Sequence, residues 1–365
     1  MPPPPELIED VTAEILLRLP PDEPEHLVRA SLVCKPWLRV ISDPGFLRRY
    51  RAFHGMPPLL GLLHRLLHCN GCPDRRLAPT TAAPFFPYPN CEYSESEALD
   101  CRHGRVLLYV RSEEKGWSFL VWDPVTGDRQ QVPDVCISSV IYTAAVICAV
   151  SGCDHLDCHG GPFRVVFLAS DNKDVLIKAS VYSSETGAWS VPVCLAESSG
   201  ETFVQPRRAA LIGDDIYFVL RLDNAIIKYD SGKNCLSVIN PPKMRSCYIT
   251  LMVMEDSSLG FACIRSSSLY LWSRKVNSSG AAEWVQCRVI ELDGMVPIAN
   301  PDDKQRVAGF AEGVGIIFMS TGVGLFMIKL NSGRVRKVGE PGFYFSVLPY
   351  MSFYTPGSTT LIVQL

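Results

Sequence analysis

The sequence has 365 residues, room for two or three domains or for one large repeat array with an appendage. Hydrophobic residues make up 47% and charged residues 20%, which excludes a largely disordered chain, and a net charge of −3 offers no basic footprint for a nucleic-acid backbone. The 26 glycines and 28 prolines are dispersed, as in a chain of many turns and short strands.

Met1 to Glu6 contains four prolines and no basic stretch running into an apolar one, so no secretory signal is expected. Helical periodicity begins directly afterwards. Leu7, Val11, Ile15 and Leu19 recur every four residues, Ile8 and Leu16 widen the stripe, and Pro20-Pro21 ends it. Asp22 is placed to cap a second helix, with Pro24 in its first turn and Leu27, Val28 and Leu32 on its apolar side. A third helix opens at Pro36 and carries Trp37, Leu38, Val40 and Ile41. Asp43-Pro44 starts a fourth, with Phe46, Leu47, Tyr50 and Phe53 on one face, Arg48, Arg49 and Arg51 on a solvated face, and Gly55 as terminator. Three or four short helices in about 50 residues cannot hide this much apolar surface among themselves. The module is built to be completed by a partner.

The blocks Glu14-Ile15-Leu16-Leu17-Arg18-Leu19-Pro20, Val33-Cys34-Lys35 with Trp37, and Ile41-Ser42-Asp43-Pro44 with Phe46, in this order and spacing, resemble an F-box over residues 1–54. Where that family usually opens with Leu-Pro, Leu7 is followed by Ile8, which keeps an apolar contact. The resemblance implies docking onto a Skp-type adaptor, and through it onto a cullin scaffold carrying a RING protein and a ubiquitin-conjugating enzyme. It sets Leu7, Ile8, Val11, Ile15, Leu16, Leu19, Pro20, Leu32, Val33, Cys34, Trp37 and Ile41 against the adaptor.

Residues 55–83 are expected to be a linker with one short helix, Leu59 to Leu67, and several prolines after it. His64, His68, Cys69 and Cys72 there are the nearest approach to a zinc set. Zinc modules usually draw two ligand pairs from separate elements, and Cys91 and Cys101 form no second tight pair, so a metal-free linker is the reading. A second ligand-rich stretch, Cys153 to Gly161, reads as a polar loop between strands. No metal and no other cofactor is expected.

From about Leu99 the period becomes that of strands. Apolar runs end repeatedly in glycine-bearing turns at Gly127, Gly187, Gly232, Gly280 and Gly333, at intervals of 60, 45, 48 and 53 residues. Each interval suits a four-stranded blade, and most hold an earlier strand pair. The prediction is a β-propeller over 84–357, with six blades or alternatively seven, and a tail over 358–365. The terminal strand-like stretch Phe343 to Phe353 has no hairpin after it and is expected to pair with residues near Phe85 to Cys101, closing the ring. The ending Pro349-Tyr350-Met351-Ser352-Phe353-Tyr354-Thr355-Pro356 resembles the propeller-type associated domain found behind F-boxes in plant proteins.

Fourteen cysteines without a secretory signal point to a reducing compartment, cytoplasm or nucleus. Cys148, Cys194, Cys247, Cys263 and Cys287 lie in or beside apolar runs and read as small core residues. The uncharged run from Val135 to Cys153 has membrane-spanning length, but its serines, Tyr142, Thr143 and Gly152 mark buried strands instead, so no membrane is expected. Gly313-Val314-Gly315 and Gly322-Val323-Gly324 lack the third glycine of a nucleotide loop and read as turns or close-packed strand glycines. Neither a Gly-x-Ser-x-Gly elbow nor His-Glu-x-x-His occurs. The resemblances thus imply a non-catalytic receptor subunit of an SCF-type ubiquitin ligase, with an unknown target protein held on propeller loops. Gly152 to Pro162 and Asp293 to Arg306 are the candidate loops by length. A non-ligase scaffold with a degenerate F-box and a small-ligand propeller are the rival readings.

Overall fold

The computed structural model describes residues 8–66, 77–80, 86, 88, 89, 93, 95–114, 116–135, 139–171, 176–195, 203–221, 224–243, 248–298, 303 and 305–355. Four helices come first: α1 (Glu9–Leu16), α2 (Pro24–Ser31), α3 (Lys35–Ser42) and α4 (Pro44–His54). The Asp43 carboxylate caps α4 by accepting from the Phe46 N–H at 2.8 Å, and Gly55 ends it at φ 66°, a conformation that favours glycine. Asp22 does not cap α2; the residue at that position is Glu23, because Pro24 itself takes the first helical position.

The expected helix after residue 55 is a strand. β1 (Leu59–Leu66) and β2 (Ala78–Pro79) precede five complete blades. The first is β3 (Glu95–Arg102), β4 (Arg105–Ser112), β5 (Gly116–Trp122) and β6 (Arg129–Val132). The second is β7 (Ser139–Cys148), β8 (Phe163–Asp171) and β9 (Ile177–Ser183), with both β10 (Ala188–Trp189) and β11 (Val193–Cys194) on the outer side of β9. The third is β12 (Ala210–Ile212), β13 (Asp215–Val219), β14 (Ile226–Asp230) and β15 (Cys235–Ile239). The fourth is β16 (Thr250–Val253), β17 (Leu259–Arg265), β18 (Ser268–Val276) and β19 (Ala282–Glu291). The fifth is β20 (Arg306–Ala311), β21 (Ile316–Thr321), β22 (Gly324–Lys329) and β23 (Val335–Gly339).

The sixth blade joins the two ends of the ring: β24 (Tyr344–Met351) is its inner strand and pairs antiparallel with β1, and β1 pairs with β2. The terminal strand therefore closes the ring, but its partner is Leu59–Leu66 and not the segment near Phe85 to Cys101, which instead supplies β3. The physical reason is edge satisfaction: β24 must find a second strand, and β3 already has β4. All pairings are antiparallel among the described residues, and the Gly127, Gly187, Gly232, Gly280 and Gly333 turns each join the third strand of a blade to its outer strand. Gly313 and Gly315, at φ 76° and 61°, lie in the turn between β20 and β21, and Gly324 opens β22.

Both surfaces of each sheet are buried because the cores lie between blades. Leu107, Phe119, Val165 and Phe167 fill the gap between the first and second blades; Leu348, Tyr350, Val106 and Trp122 fill that between the sixth and first. This is why runs such as Val106-Leu107-Leu108 are apolar without alternation. At the axis, inner strands approach closely: a Cβ on Gly309 would lie 2.4 Å from the Val347 carbonyl oxygen. Cys263 is a buried core residue as expected, Cys148 at the end of β7 is half-buried, and Cys194 and Cys287 are exposed, because β11 and β19 are outermost strands; Cys101 is buried as well. Cys247 lies outside the described residues. No helix among the described residues is long and apolar enough to cross a membrane.

Candidate docking site

The helices form one small core, in which Leu16, Leu27, Ile41, Phe46 and Tyr50 pack with Phe353 from the end of the propeller. That core selects which apolar residues remain for a partner. Ile8, Val11 and Ile15, spaced along one face of α1, are exposed, Ile8 at 72%; so are Leu32, Val33, Cys34 and Pro20. Leu19 and Trp37 are half-buried. Leu16 and Ile41, expected on the docking side, are 1% and 0% exposed and belong to the module's own core: Leu16 shares the inward face of α1 with Thr12, opposite Val11 and Ile15, and Ile41 lies beside buried Val40 on α3. Leu7 lies outside the described residues.

The helices sit on one end of the propeller. In an antiparallel blade, turns between first and second strands share an end of the axis with turns between third and fourth; the blade-to-blade connections lie at the other. Met56 meets the β20–β21 turn at Gly313, the Tyr50 ring lies 6.2 Å from Phe353, and Arg51 forms an ion pair with Asp157 in the β7–β8 loop. Leu156 of that loop packs against the helical core. The loop from Gly152 to Pro162, expected to face a target, is thus on the helix-bearing end; the segment after Asp293 is on the open one.

A cleft of about 200 Å³ lies at the junction, lined in part by Met56, His103, His155, His159 and Glu312. Beneath it the axis is filled by paired charges. Arg208 Nη1 donates to Glu312 Oε1 at 3.1 Å, Arg208 Nε lies 3.4 Å from Asp100, and Arg102 Nη2 donates to the Ala209 carbonyl at 2.7 Å. Burial pushes the Cys101 thiol up, so it stays a neutral core group. Ser352, His159 and Asp123 stand in the order of a catalytic triad: the Ser352 hydroxyl lies 3.4 Å from His159 Nε2, and His159 Nδ1 meets Asp123 Oδ2. Ser352 is only 4% exposed, and Asp123 Oδ1 accepts from the Val125 and Thr126 N–H groups, so the chain of contacts ties the β7–β8 loop to two blades.

The open end carries aromatic and charged groups that local sequence patterns do not flag, because separate blade connections bring them together. The Arg306 guanidinium lies 5.0 Å from the Tyr248 ring and 4.2 Å from that of Phe343. Burial and then Arg306 lower the Arg207 pKa to about 10, leaving it charged at neutral pH. Nearby, Glu97 accepts from Arg65 Nε at 2.5 Å and from the Tyr142 hydroxyl at 3.0 Å. Of the first metal set considered in the sequence, His64 is on β1 with its ring against Tyr344, while His68, Cys69 and Cys72 lie outside the described residues. The second ligand-rich stretch does converge: Cys153, His155 and Cys158 meet Cys148 at the end of β7. The signal for that set was the spacing Cys-x4-Cys-x-His-x2-Cys.

An F-box domain family matches residues 5–49, and the family described as F-box protein AT5G49610-like, beta-propeller, matches residues 97–357. The chain belongs to this F-box propeller family. F-box domains generally bind Skp1-type adaptors, and F-box propeller proteins are typically non-catalytic. The family match begins at residue 97, so the strands β1 and β2 that complete the sixth blade of this F-box protein stand outside it. No curated protein matches the chain in sequence. Among solved structures, the extracellular domain of the putative hybrid two component system BT4673 from B. thetaiotaomicron is 13% identical, covering 70% of this chain and 29% of that one, with TM-score 0.38. The WD40 domain of SCAP from fission yeast is 11% identical over 69% and 56%, with TM-score 0.38. The Cps50 (Swd1) beta-propeller domain from Myceliophteria_thermophila is 11% identical over 66% and 70%, with TM-score 0.37. The chain thus spans less than two thirds of the first two, and likenesses of this size carry nothing about function.

Proposed function

We propose that this F-box protein is the target-binding subunit of an SCF-type ubiquitin ligase. Its F-box docks a Skp-type adaptor, and through it a cullin-RING scaffold, while its propeller holds a target protein. The observation that carries the reading is the exposed apolar set Ile8, Val11, Ile15, Leu32 and Val33, on a module whose own core is made by Leu16, Leu27, Ile41, Phe46 and Tyr50. Covering a fully exposed side chain of this kind gains about 1.5–3 kcal/mol, and Val11 and Ile15, already more than half covered, gain proportionately less. The chain itself catalyses nothing. It acts by proximity, raising the effective concentration of target lysines at the ubiquitin conjugate. The open end of the axis is the target side, because the helices occupy the other. Cytoplasm or nucleus is the compartment this role requires.

Co-expression with a Skp-type adaptor followed by gel filtration tests the reading. A 1:1 complex is expected, and Val11→Asp combined with Leu32→Asp is expected to weaken it more than about 100-fold, since two charges would be desolvated in place of apolar contacts. Absence of a complex with folded protein would favour the non-ligase scaffold.

A further inference from the structure

The fourteen residues between β7 and β8 form the longest irregular connection on the helix-bearing end among the described residues, and they have few apolar groups to hold their shape. What converges there is ligand chemistry. The sulfurs of Cys148, Cys153 and Cys158 and a ring nitrogen of His155 all lie within 4.8 Å of one another. Cys153 Sγ is 3.7 Å from Cys158 Sγ, and Cys158 Sγ is 3.6 Å from His155 Nδ1. A tetrahedral zinc ion, with Zn–S about 2.3 Å and Zn–N about 2.0 Å, sets two sulfurs about 3.8 Å apart and a sulfur and a nitrogen about 3.5 Å apart. The Cys153–Cys158 and Cys158–His155 separations match that geometry to within about 0.1 Å.

The surroundings fix the ligands in place. His155 takes φ 59°, and its N–H donates to Cys153 Sγ at 3.4 Å, as a thiolate ligand accepts. The His155 ring stacks on His103 at 3.9 Å and 7°, and His103 Nδ1 accepts from the Cys148 N–H at 3.2 Å. Arg105 holds the loop's end by donating to the carbonyls of Cys158 and Gly161. Between the ligands His155 and Cys158 stand only Leu156 and Asp157, and both touch the F-box: Leu156 on its core and Asp157 on Arg51.

We propose that Cys148, Cys153, His155 and Cys158 bind one zinc ion in a closed structural site, and that the metal shapes the loop into the seat on which the F-box rests. Binding releases the thiol protons to solvent and leaves no open coordination position, so the ion orders the loop and performs no chemistry. The inference stands apart from the ligase reading, since it concerns only contacts within this chain.

The test uses the full chain purified under reducing conditions with zinc present, then freed of loose metal by gel filtration. Elemental analysis is expected to give one zinc per chain, and cobalt(II) exchange is expected to give the visible bands of a tetrahedral ion with thiolate charge transfer. Cys153→Ser with Cys158→Ser is expected to lose the metal, whereas Cys34→Ser with Cys287→Ser, on exposed cysteines, keeps it. If the double ligand variant fails to fold, His155→Cys decides: it is expected to keep zinc and to shift the cobalt spectrum towards four thiolates. Folded wild type without zinc or cobalt signal, a Cys153–Cys158 disulfide, or an iron–sulfur chromophore would each overturn the site. For the seat, chelation is expected to raise proteolysis at residues 55–58 several-fold while the propeller stays folded; unchanged cleavage after complete zinc removal would overturn that part.

Discussion

Glu312 reaches the axis from the turn after β20, where burial alone would raise its pKa. Arg208 and Arg102 outweigh burial and hold the carboxyl below its ordinary 4.5. A group depressed in this way adds stability above that ordinary value, and the contribution is lost as pH falls through the lowered native one. Glu312→Gln is therefore expected to be less stable than wild type by about 2 kcal/mol near neutral pH, under the roughly 3–5 of a wholly buried broken pair, because 27% of the side chain meets water. The gap should close in acid. Thermal melts near neutral pH and below the ordinary carboxyl pKa check this, and an equal gap at both would count against it. Nothing local revealed these charges. Asp100 and Arg102 sit in a strand beside Leu99 and Cys101, and only ring closure brings Arg208 and Glu312 to them.

At the scale of elements, the outer hairpins were legible and the closing strand was not. The hairpins carry a glycine at a fixed place in each blade, a local signal. The Leu59-Leu60-Gly61-Leu62-Leu63-His64-Arg65-Leu66 run has no period that separates a short helix from a doubly buried strand, and its partner, β24, lies at the far end of the chain. The pairing makes the so-called linker part of the propeller. Removing residues 1–54 is expected to leave a cooperatively folding ring, whereas removing 1–80 strips β1 and β2 from β24 and should lower the melting temperature by more than about 10 °C or cause aggregation. Calorimetry of the two truncations checks it; equal stability would show that the ring closes without β1.

Across the whole molecule, the F-box was readable because its helices depend on spacings of three and four residues, while the orientation of the propeller beneath it depends on the β7–β8 loop, α4 and the end of β24 together. The same assembly decides which end faces outward. With the F-box on the end that carries Gly313, the surface around Tyr248, Arg306 and Phe343 points away from the adaptor side. Tyr248→Ala with Arg306→Ala is expected to cut recovery of target proteins at least about tenfold, since aromatic and arginine anchors dominate such interfaces, and to leave adaptor binding and melting temperature unchanged. Quantitative affinity capture with and without the substitutions measures it, and undiminished recovery would move the target elsewhere.

The pairing of Leu59 with Met351 joins positions 292 residues apart. During synthesis the F-box and β1 emerge before the five complete blades, and β1 must wait for all of them before its partner leaves the ribosome. An interrupted product would then carry a finished helical module on an unclosed ring with a bare leucine-rich edge, prone to pair with other chains. Stitching the first strand to the last thus makes a closed ring conditional on completion of the chain.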